Sequence, residues 1–193
     1  MSFATRRNPA RIRVRHREVT DVGRWRAVRP WLGLLLRLTL AGVWIVAGAT
    51  KVGDLAGSGR AVAAYRLLPA ETARVVGAAL PFVELALGVL LLLGLATRLA
   101  AGVSAGLLTV YIAGIASVWA RGLSIDCGCF GGGGDLAAGR HPNYAPDIAR
   151  DVALLAAAAF LVVWPRTRVA LDGWLVGYEA PSAPRERANQ ETQ

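Results

Sequence analysis

The sequence predicts an all-α integral membrane protein, a bundle of four transmembrane helices with both termini on the cytoplasmic side (N-in/C-in). Hydrophobic residues make up 54% of the 193-residue chain and charged residues only 18%, which is too apolar for an ordinary soluble domain. Four apolar stretches have about the length of a transmembrane helix, and the basic residues are distributed unevenly around them. This composition also excludes a disordered regulatory chain.

The apolar stretches support transmembrane helices rather than the buried helices of a soluble bundle. Each is close to the roughly 20 residues that cross a hydrocarbon core of about 30 Å. A soluble bundle would place polar residues every three or four positions, and the run Leu85–Leu95 has none. The four stretches are Trp31–Thr50, Ala73–Leu95, Ala100–Trp119 and Pro146–Trp164.

The fourth stretch is the shortest in its apolar part. Val152–Trp164 covers only about 20 Å at a rise of about 1.5 Å per residue. The stretch spans the membrane only if a helix starts at Pro146 and if Asp147, Arg150 and Asp151 lie in the headgroup layer. Such a start suits the preference of helix N-termini for proline and acidic side chains.

The charges divide the chain into three segments. The chain has 22 basic and 13 acidic side chains, and nine arginines lie before Trp31. Residues 1–30 are therefore expected to form a basic, disordered cytoplasmic arm, residues 31–164 the membrane domain and residues 165–193 a polar cytoplasmic tail. A solvated arm and a contact with anionic lipid both stay open. Nucleic acid is not expected as a partner, because few aromatic residues interleave with the arginines and a long apolar region follows.

The positive-inside rule predicts the orientation. With the N-terminus inside, fourteen Lys and Arg residues lie on the inner side and seven on the outer side. The protein is then a multi-pass protein of the plasma membrane, and the loop of residues 121–145 is extracytoplasmic. That loop contains both cysteines of the chain, Cys127 and Cys129.

The spacing of Cys127 and Cys129 favours a redox pair. An outward-facing thiol pair in an oxidising compartment tends to be oxidised. A disulfide that closes so small a loop removes little chain entropy, so it is a poor structural brace, and its tight geometry makes it easy to reduce. An inert or structural pair stays open. A metal site is not expected, because only His141 and acidic residues accompany the cysteines.

Two ionisable residues lie inside predicted spans, and such groups are costly there. Counted from the outer helix ends, Arg37 lies about 21 Å deep and Glu84 about 17 Å. Glu84 is therefore either the partner of Arg37 in a buried ion pair or a site of proton or quinone handling. If Arg37 instead reaches the inner headgroups, desolvation would keep Glu84 neutral. Pro81 could kink the second helix and open room for a ligand, or serve packing alone.

Five segments of the chain together form a recognisable pattern. They are Arg37-Leu38-Thr39-Leu40-Ala41-Gly42, Ala47-Gly48-Ala49-Thr50-Lys51, Tyr65-Arg66-Leu67-Leu68-Pro69, Pro81-Phe82-Val83-Glu84 and, most specific, Asp126-Cys127-Gly128-Cys129-Phe130-Gly131. Over about residues 37–164 the chain thereby resembles the methylamine-utilisation protein MauE family, within the DoxX-like membrane proteins. The resemblance implies a four-helix membrane protein of extracytoplasmic thiol redox chemistry, which forms disulfides in or matures methylamine dehydrogenase with a thioredoxin-like partner. The long arginine-rich arm departs from that pattern.

The leading hypothesis is therefore a membrane protein whose Cys127 and Cys129 exchange a disulfide with a thioredoxin-like extracytoplasmic protein. A membrane quinone near Glu84 is a candidate electron acceptor, and no other cofactor is implied. The weak point is the single cysteine pair, because a full relay to a quinone often uses two. The alternatives are a non-enzymatic scaffold or assembly factor for a redox complex and, less favoured, a small transporter with Glu84 as its coupling site.

Overall fold

A computed structural model describes the backbone of residues 9–129, 132–136 and 141–165, and the side chains from residue 28 onward within those ranges. This part of the chain is almost entirely helical. Its elements are α1 (Pro9–Val52), α2 (Leu55–Ala64), α3 (Ala70–Leu93), α4 (Thr97–Ala120), β1 (Ile125–Asp126), β2 (Gly134–Asp135) and α5 (Tyr144–Val163).

Three helical segments are long and apolar enough to cross a membrane: Val28–Val52, Ala70–Leu93 and Thr97–Ala120. A helix of 24 residues, such as α3 or α4, is about 36 Å long and exceeds a hydrocarbon core of about 30 Å. The chain is thus a multi-pass membrane protein, as the sequence predicts. Helix α5 is not among these three segments, because charged side chains occupy its first two turns.

Helix α1 begins at Pro9, inside the segment for which the sequence predicts a disordered arm. The backbone is helical from there through Pro30 and on to Val52. The division into arm, membrane domain and tail stays a prediction, as does the cytoplasmic position of both ends. Residues 166–193 of the expected tail lie outside the described residues.

Helices α1 and α3 pack closely through glycines. A Cβ atom on Gly48 would lie 2.8 Å from the Pro81 carbonyl oxygen, and one on Gly88 would lie 2.6 Å from Cγ1 of Ile45. Only glycine permits such an approach. Because Gly48 lies near the end of α1 whereas Pro81 lies in the middle of α3, the first turns of α3 extend beyond the end of α1.

Helix α2 packs against this protruding part of α3. A Cβ atom on Gly77 of α3 would lie 2.6 Å from the Cα of Gly59 in α2. The Asp54 carboxylate caps the start of α2 by accepting the Gly57 N–H at 2.7 Å. The sequence predicts only a loop between the first two spans, so α2 is an additional element.

The core lies where α1, α3, α4 and α5 meet. Helix α4 packs on α5 and α3, and α5 also packs on α1. Inside the core, the indole N–H of Trp44 donates to the Ser104 hydroxyl at 2.9 Å. Large apolar side chains, such as Leu35, Val75 and Leu99, are exposed on the outer faces of the helices, where a bilayer would cover them. The buried core includes Leu40, Ala41, Trp44, Leu87, Leu91, Ala100, Ala101, Leu108, Leu154, Ala158 and Leu161.

The segment between α4 and α5 forms a small antiparallel ribbon, in which Ile125 pairs with Asp135 and Asp126 with Gly134. Tyr144, the first residue of α5, holds the ribbon in place: its hydroxyl accepts the Ile125 N–H at 3.0 Å and donates to the Leu123 carbonyl. The ribbon therefore has a defined position against the start of α5. Both cysteines lie between its two strands.

Candidate functional site

Cys127 and Cys129 flank a glycine turn that follows β1. Gly128 has a φ of 68°, in the left-handed region that favours glycine. The Asp126 carboxylate accepts the Gly128 N–H at 3.0 Å, which closes a turn of the Asx type. Both cysteines are free thiols and are half-buried. The turn thus holds two thiols side by side with part of each accessible.

Close contacts with two other segments hold the cysteine turn. A Cβ atom on Gly133 would lie 2.5 Å from the Cα of Gly128 and 2.7 Å from the Cβ of Ala61 in α2. Any larger residue at position 133 would push the turn away from α2. Gly133 therefore serves close packing of the site, whereas a Cβ atom on Gly132 or Gly134 would meet nothing within 4 Å. Phe130 and Gly131, which contribute to the family resemblance, lie outside the described residues.

The two thiols differ in acidity. The S–H and the backbone N–H of Cys129 both donate to the Cys127 sulfur, and these hydrogen bonds lower the pKa of Cys127 against the opposing effect of burial. The same thiol hydrogen bond, together with burial, raises the pKa of Cys129. Cys127 is thus the sulfur that ionises first, and Cys129 keeps its proton. A thiolate is the nucleophile in disulfide exchange.

Charged residues from the first turns of α5 lie near the cysteines. The negative charge of Asp147 opposes the lowering of the pKa of the Cys127 thiol. Arg150 contacts the Asp147 carboxylate at 3.1 Å and the Asp151 carboxylate at 2.8 Å. Arg150 therefore neutralises part of the negative charge that faces the thiolate.

Tyr65, at the end of α2, fixes the turn from its other side. Its hydroxyl donates to the Cys127 carbonyl oxygen at 3.0 Å, and its ring packs against Gly114 of α4. Burial raises the pKa of Tyr65, so the hydroxyl stays protonated and remains a donor. Tyr65 thus links α2, α4 and the cysteine turn.

A cavity of about 580 Å³ extends from the cysteine turn toward the end of α1. Its size is within the range of small-molecule sites, about 300–1,000 Å³. Cys127 and Cys129 line one part of it, and Lys51 and Tyr111 line another. We call this space the thiol cavity. Its apolar wall comes from α3 and α4 and includes Val76, Leu80, Leu107 and Val110.

Glu84 is paired with Lys51. The Lys51 ammonium lies 2.6 Å from Oε1 of Glu84, and the Tyr111 hydroxyl donates to the same oxygen at 2.9 Å. Glu84 is fully buried, and its second oxygen, Oε2, has no hydrogen-bond partner among the described residues. The three side chains form one polar cluster at the wall of the thiol cavity, with Glu84 behind Lys51 and Tyr111.

Of the two alternatives for Glu84, the ion pair with Arg37 is wrong. Depths counted from the predicted outer helix ends place the two residues at similar levels, but α3 extends beyond the end of α1. Glu84 therefore lies beside the last turn of α1, where Lys51 is, and Arg37 lies about 21 Å further along that helix. Arg37 is itself buried, with 2% of its surface exposed.

Three site residues are not predicted from the sequence: Lys51, Tyr65 and Tyr111. A lysine at a helix end usually extends to the headgroups, so Lys51 gave no signal of a buried role. Tyr111 gave a weak signal of a buried role, because a phenol in an apolar helix generally needs a hydrogen-bond partner.

Pro81 is buried against Gly48, while its neighbour Leu80 lines the cavity. Among the described residues, no three His, Cys, Asp or Glu side chains come together as metal ligands.

Comparisons with known proteins place this site within a described family. The family model "Methylamine utilisation protein MauE" matches residues 29–164, which include every site residue named above. A methylamine utilization protein MauE of Paracoccus denitrificans is 36% identical over 107 residues, which are 55% of this chain. The match spans only 58% of that relative's own length. No solved structure matches the chain.

Proposed function

The chain belongs to the family of methylamine utilisation protein MauE, and from that premise we propose that it is a membrane thiol-disulfide redox protein. Cys127 and Cys129 are its working pair, and a thioredoxin-like extracytoplasmic protein is its partner. The placement of two free, half-buried thiols on either side of a hydrogen-bonded glycine turn is the observation that carries the proposal. The cellular process is methylamine utilisation, in which the pair serves the maturation of methylamine dehydrogenase.

Each exchange passes through a mixed disulfide on Cys127. In the oxidising direction, a partner thiolate attacks the Cys127 sulfur, the bond between Cys127 and Cys129 breaks, and Cys129 leaves as a thiolate that takes up a proton. The second partner thiolate then displaces Cys127. The partner has lost two electrons and two protons, and the pair has become a dithiol. The reverse direction uses the same intermediate, because the Cys127 thiolate is the attacking group there.

Serine variants and an activated probe test this assignment. The probe is a thioredoxin-like protein with one cysteine, carried as its disulfide with thionitrobenzoate, which absorbs light once released. Reduced Cys129→Ser should release thionitrobenzoate and keep the probe as a stable mixed disulfide, visible on a non-reducing gel. Wild type should release it and then free the probe, since Cys129 displaces it. Cys127→Ser should react at least about tenfold more slowly, because burial still raises the pKa of Cys129 when the Cys127 thiol is absent.

The double variant Cys127→Ser/Cys129→Ser is the matched control, and it should not react. Equal trapping by the two single variants would contradict the role of Cys127 as the attacking sulfur. Full support of methylamine-dependent growth by the double variant would contradict the redox role. That result would favour a scaffold that holds a redox partner through its helices.

The same proposal includes the membrane arrangement. Helix α5 is the fourth transmembrane helix: it packs on α4 and α1, and its side chains Val152 and Val163 are exposed as lipid-facing residues would be. The N- and C-terminal segments lie in the cytoplasm, and the cysteine turn faces the extracytoplasmic side of the plasma membrane. The arginine-rich segment before Trp31 supports this orientation.

A further inference from the structure

The thiol cavity connects two groups of side chains, of which the proposed thiol exchange uses only one. One part of its wall carries the cysteine pair, and another carries Lys51 and Tyr111. The exchange with an extracytoplasmic protein needs only the accessible sulfurs. It explains neither the space behind them nor the buried polar cluster on the far wall.

The polar cluster is equipped to bind a carbonyl oxygen. An ammonium group has three N–H donors, and the contact with Glu84 uses one of those on Lys51. The Tyr111 hydroxyl donates its hydrogen to Glu84, so its oxygen is left as an acceptor. Glu84 holds the Lys51 side chain by an ion pair at a position where only 7% of the lysine side chain is exposed. The cluster therefore offers donors and an acceptor to a ligand inside the cavity.

The α3 and α4 side of the wall indicates an apolar ligand that reaches the cavity from the bilayer, whereas the α2 side carries the polar Asp54, Ser58 and Arg60. Val76 and Leu80 of α3 and Leu107 and Val110 of α4 line the space. Val76 and Val110 are also exposed on the outer surface of the two helices, where lipid would lie. An apolar molecule dissolved in the membrane can thus approach between α3 and α4 without crossing water.

We propose that the thiol cavity binds a lipid-soluble quinone, with one carbonyl oxygen on Lys51 and the ring facing Cys127 and Cys129. This inference rests on the proposed function, since it supplies the oxidant of the pair. Two S–H bonds break and the S–S bond forms. The two electrons and two protons leave on the quinone as two O–H bonds, so the products are a disulfide and a quinol. The new quinol hydroxyl donates to the Tyr111 oxygen.

Binding is tested with a decyl-chain benzoquinone and the full-length chain in detergent. The variant Cys127→Ser/Cys129→Ser binds without reacting, and quenching of tryptophan fluorescence reports occupancy. Trp44 is the reporter, because its ring lies 6.2 Å from that of Tyr111. We expect saturable binding, and a loss of about tenfold in affinity when Lys51→Met is added, because a charged donor is removed.

Two further variants separate ligand binding from misfolding and from loss of charge. Lys51→Met leaves Glu84 buried without its ionic partner, so Lys51→Met/Glu84→Gln provides a neutral cluster and should show the same weakened binding. Arg98→Met removes one charge from an exposed position at the other end of α4 and should bind like the parent. Absence of saturable binding, or parental affinity in both Lys51 variants, would overturn the proposal.

The chemical step is tested in the same preparations. Wild type with reduced cysteines, mixed anaerobically with the benzoquinone, should form one quinol for each disulfide, as counted by quinone absorbance and by thiol alkylation. The exchange with the thioredoxin-like probe is measured in parallel. Exchange without quinone binding overturns the inference and leaves the proposed function standing. Quinone binding without exchange overturns the proposed function.

Discussion

Cys127 and Cys129 have different chemical roles although a single glycine separates them. The difference arises because hydrogen bonding by Cys129, across the glycine turn, lowers the pKa of Cys127, while the same thiol contact and burial raise that of Cys129. The sequence alone places two equivalent thiols in one loop. Their inequality depends on the turn geometry and on the packing of Gly133 against Ala61.

The acidity of Cys127 should depend on the donor at position 129. A serine there still offers an O–H to the Cys127 sulfur, whereas an alanine offers no side-chain donor. Because the hydrogen bond lowers the pKa of Cys127, its thiolate persists at a pH below that of an ordinary thiol and disappears as the pH falls through that lowered pKa. Cys129→Ala should therefore shift the alkylation profile of Cys127 to higher pH than Cys129→Ser does.

This prediction is checked by following iodoacetamide alkylation against pH by mass spectrometry. Each single variant has only one thiol, so the alkylated mass reports Cys127 directly. Coincident profiles for the alanine and serine variants would show that the thiol of Cys129 does not set the acidity of its neighbour.

At the scale of the elements, the first three predicted spans are correct because apolar length is a local property of the sequence. The observed helices begin and end a few residues away from the predicted bounds. Helix α3, for example, begins directly after Pro69 and ends before Gly94, whose backbone is left-handed. Helix α2 was missed because its ten residues are too short to show a clear apolar period. Its N-cap, Asp54, is a residue type that favours helix starts.

The register of α1 against α3 is an element-scale property that a substitution can test. A Cβ atom on Gly88 would lie 2.6 Å from Ile45 Cγ1 and 3.2 Å from the Ala41 carbonyl oxygen, so Gly88→Ala forces the helices apart. We expect a loss of about 1–3 kcal/mol in the free energy of unfolding. Thermal unfolding in detergent measures it as a lowered Tm.

Gly102→Ala is the matched control for the packing experiment. A Cβ atom at Gly102 of α4 meets nothing within 4 Å, and a glycine-to-alanine change inside a helix is favourable by up to about 1 kcal/mol. Its Tm should stay the same or rise. An equal fall in Tm for both variants would contradict the role of Gly88 in the close packing of α1 against α3.

At the scale of the whole molecule, both ends of the bundle have a distinct character. The cysteine turn, α2 and the protruding turns of α3 cover one end, where Arg66 also lies 3.9 Å from Asp135. At the other end, the Arg29 guanidinium lies 5.5 Å from the centre of the Trp164 ring. The proposed orientation places the first end outside the cell and the second at the cytoplasmic surface.

Labelling of intact cells with a membrane-impermeant maleimide tests that orientation. Cys127 and Cys129 are the only thiols of the chain. We expect labelling only after mild reductant, because an outward-facing pair is oxidised at rest. The serine double variant is the control for labelling of other proteins. Labelling that requires cell lysis would contradict the extracytoplasmic position of the turn, and labelling without reductant would contradict an oxidised resting state.

Local chemistry in the sequence was sufficient to determine the all-α membrane class, three of the spans, the family resemblance and the cysteine pair as the candidate site. Each depends on composition or on residues that are neighbours in the chain. The partner of Glu84, the unequal thiols and the thiol cavity were decided by the tertiary structure. They depend on how far α3 extends past α1 and on where α2 packs, and glycine contacts between distant segments set both.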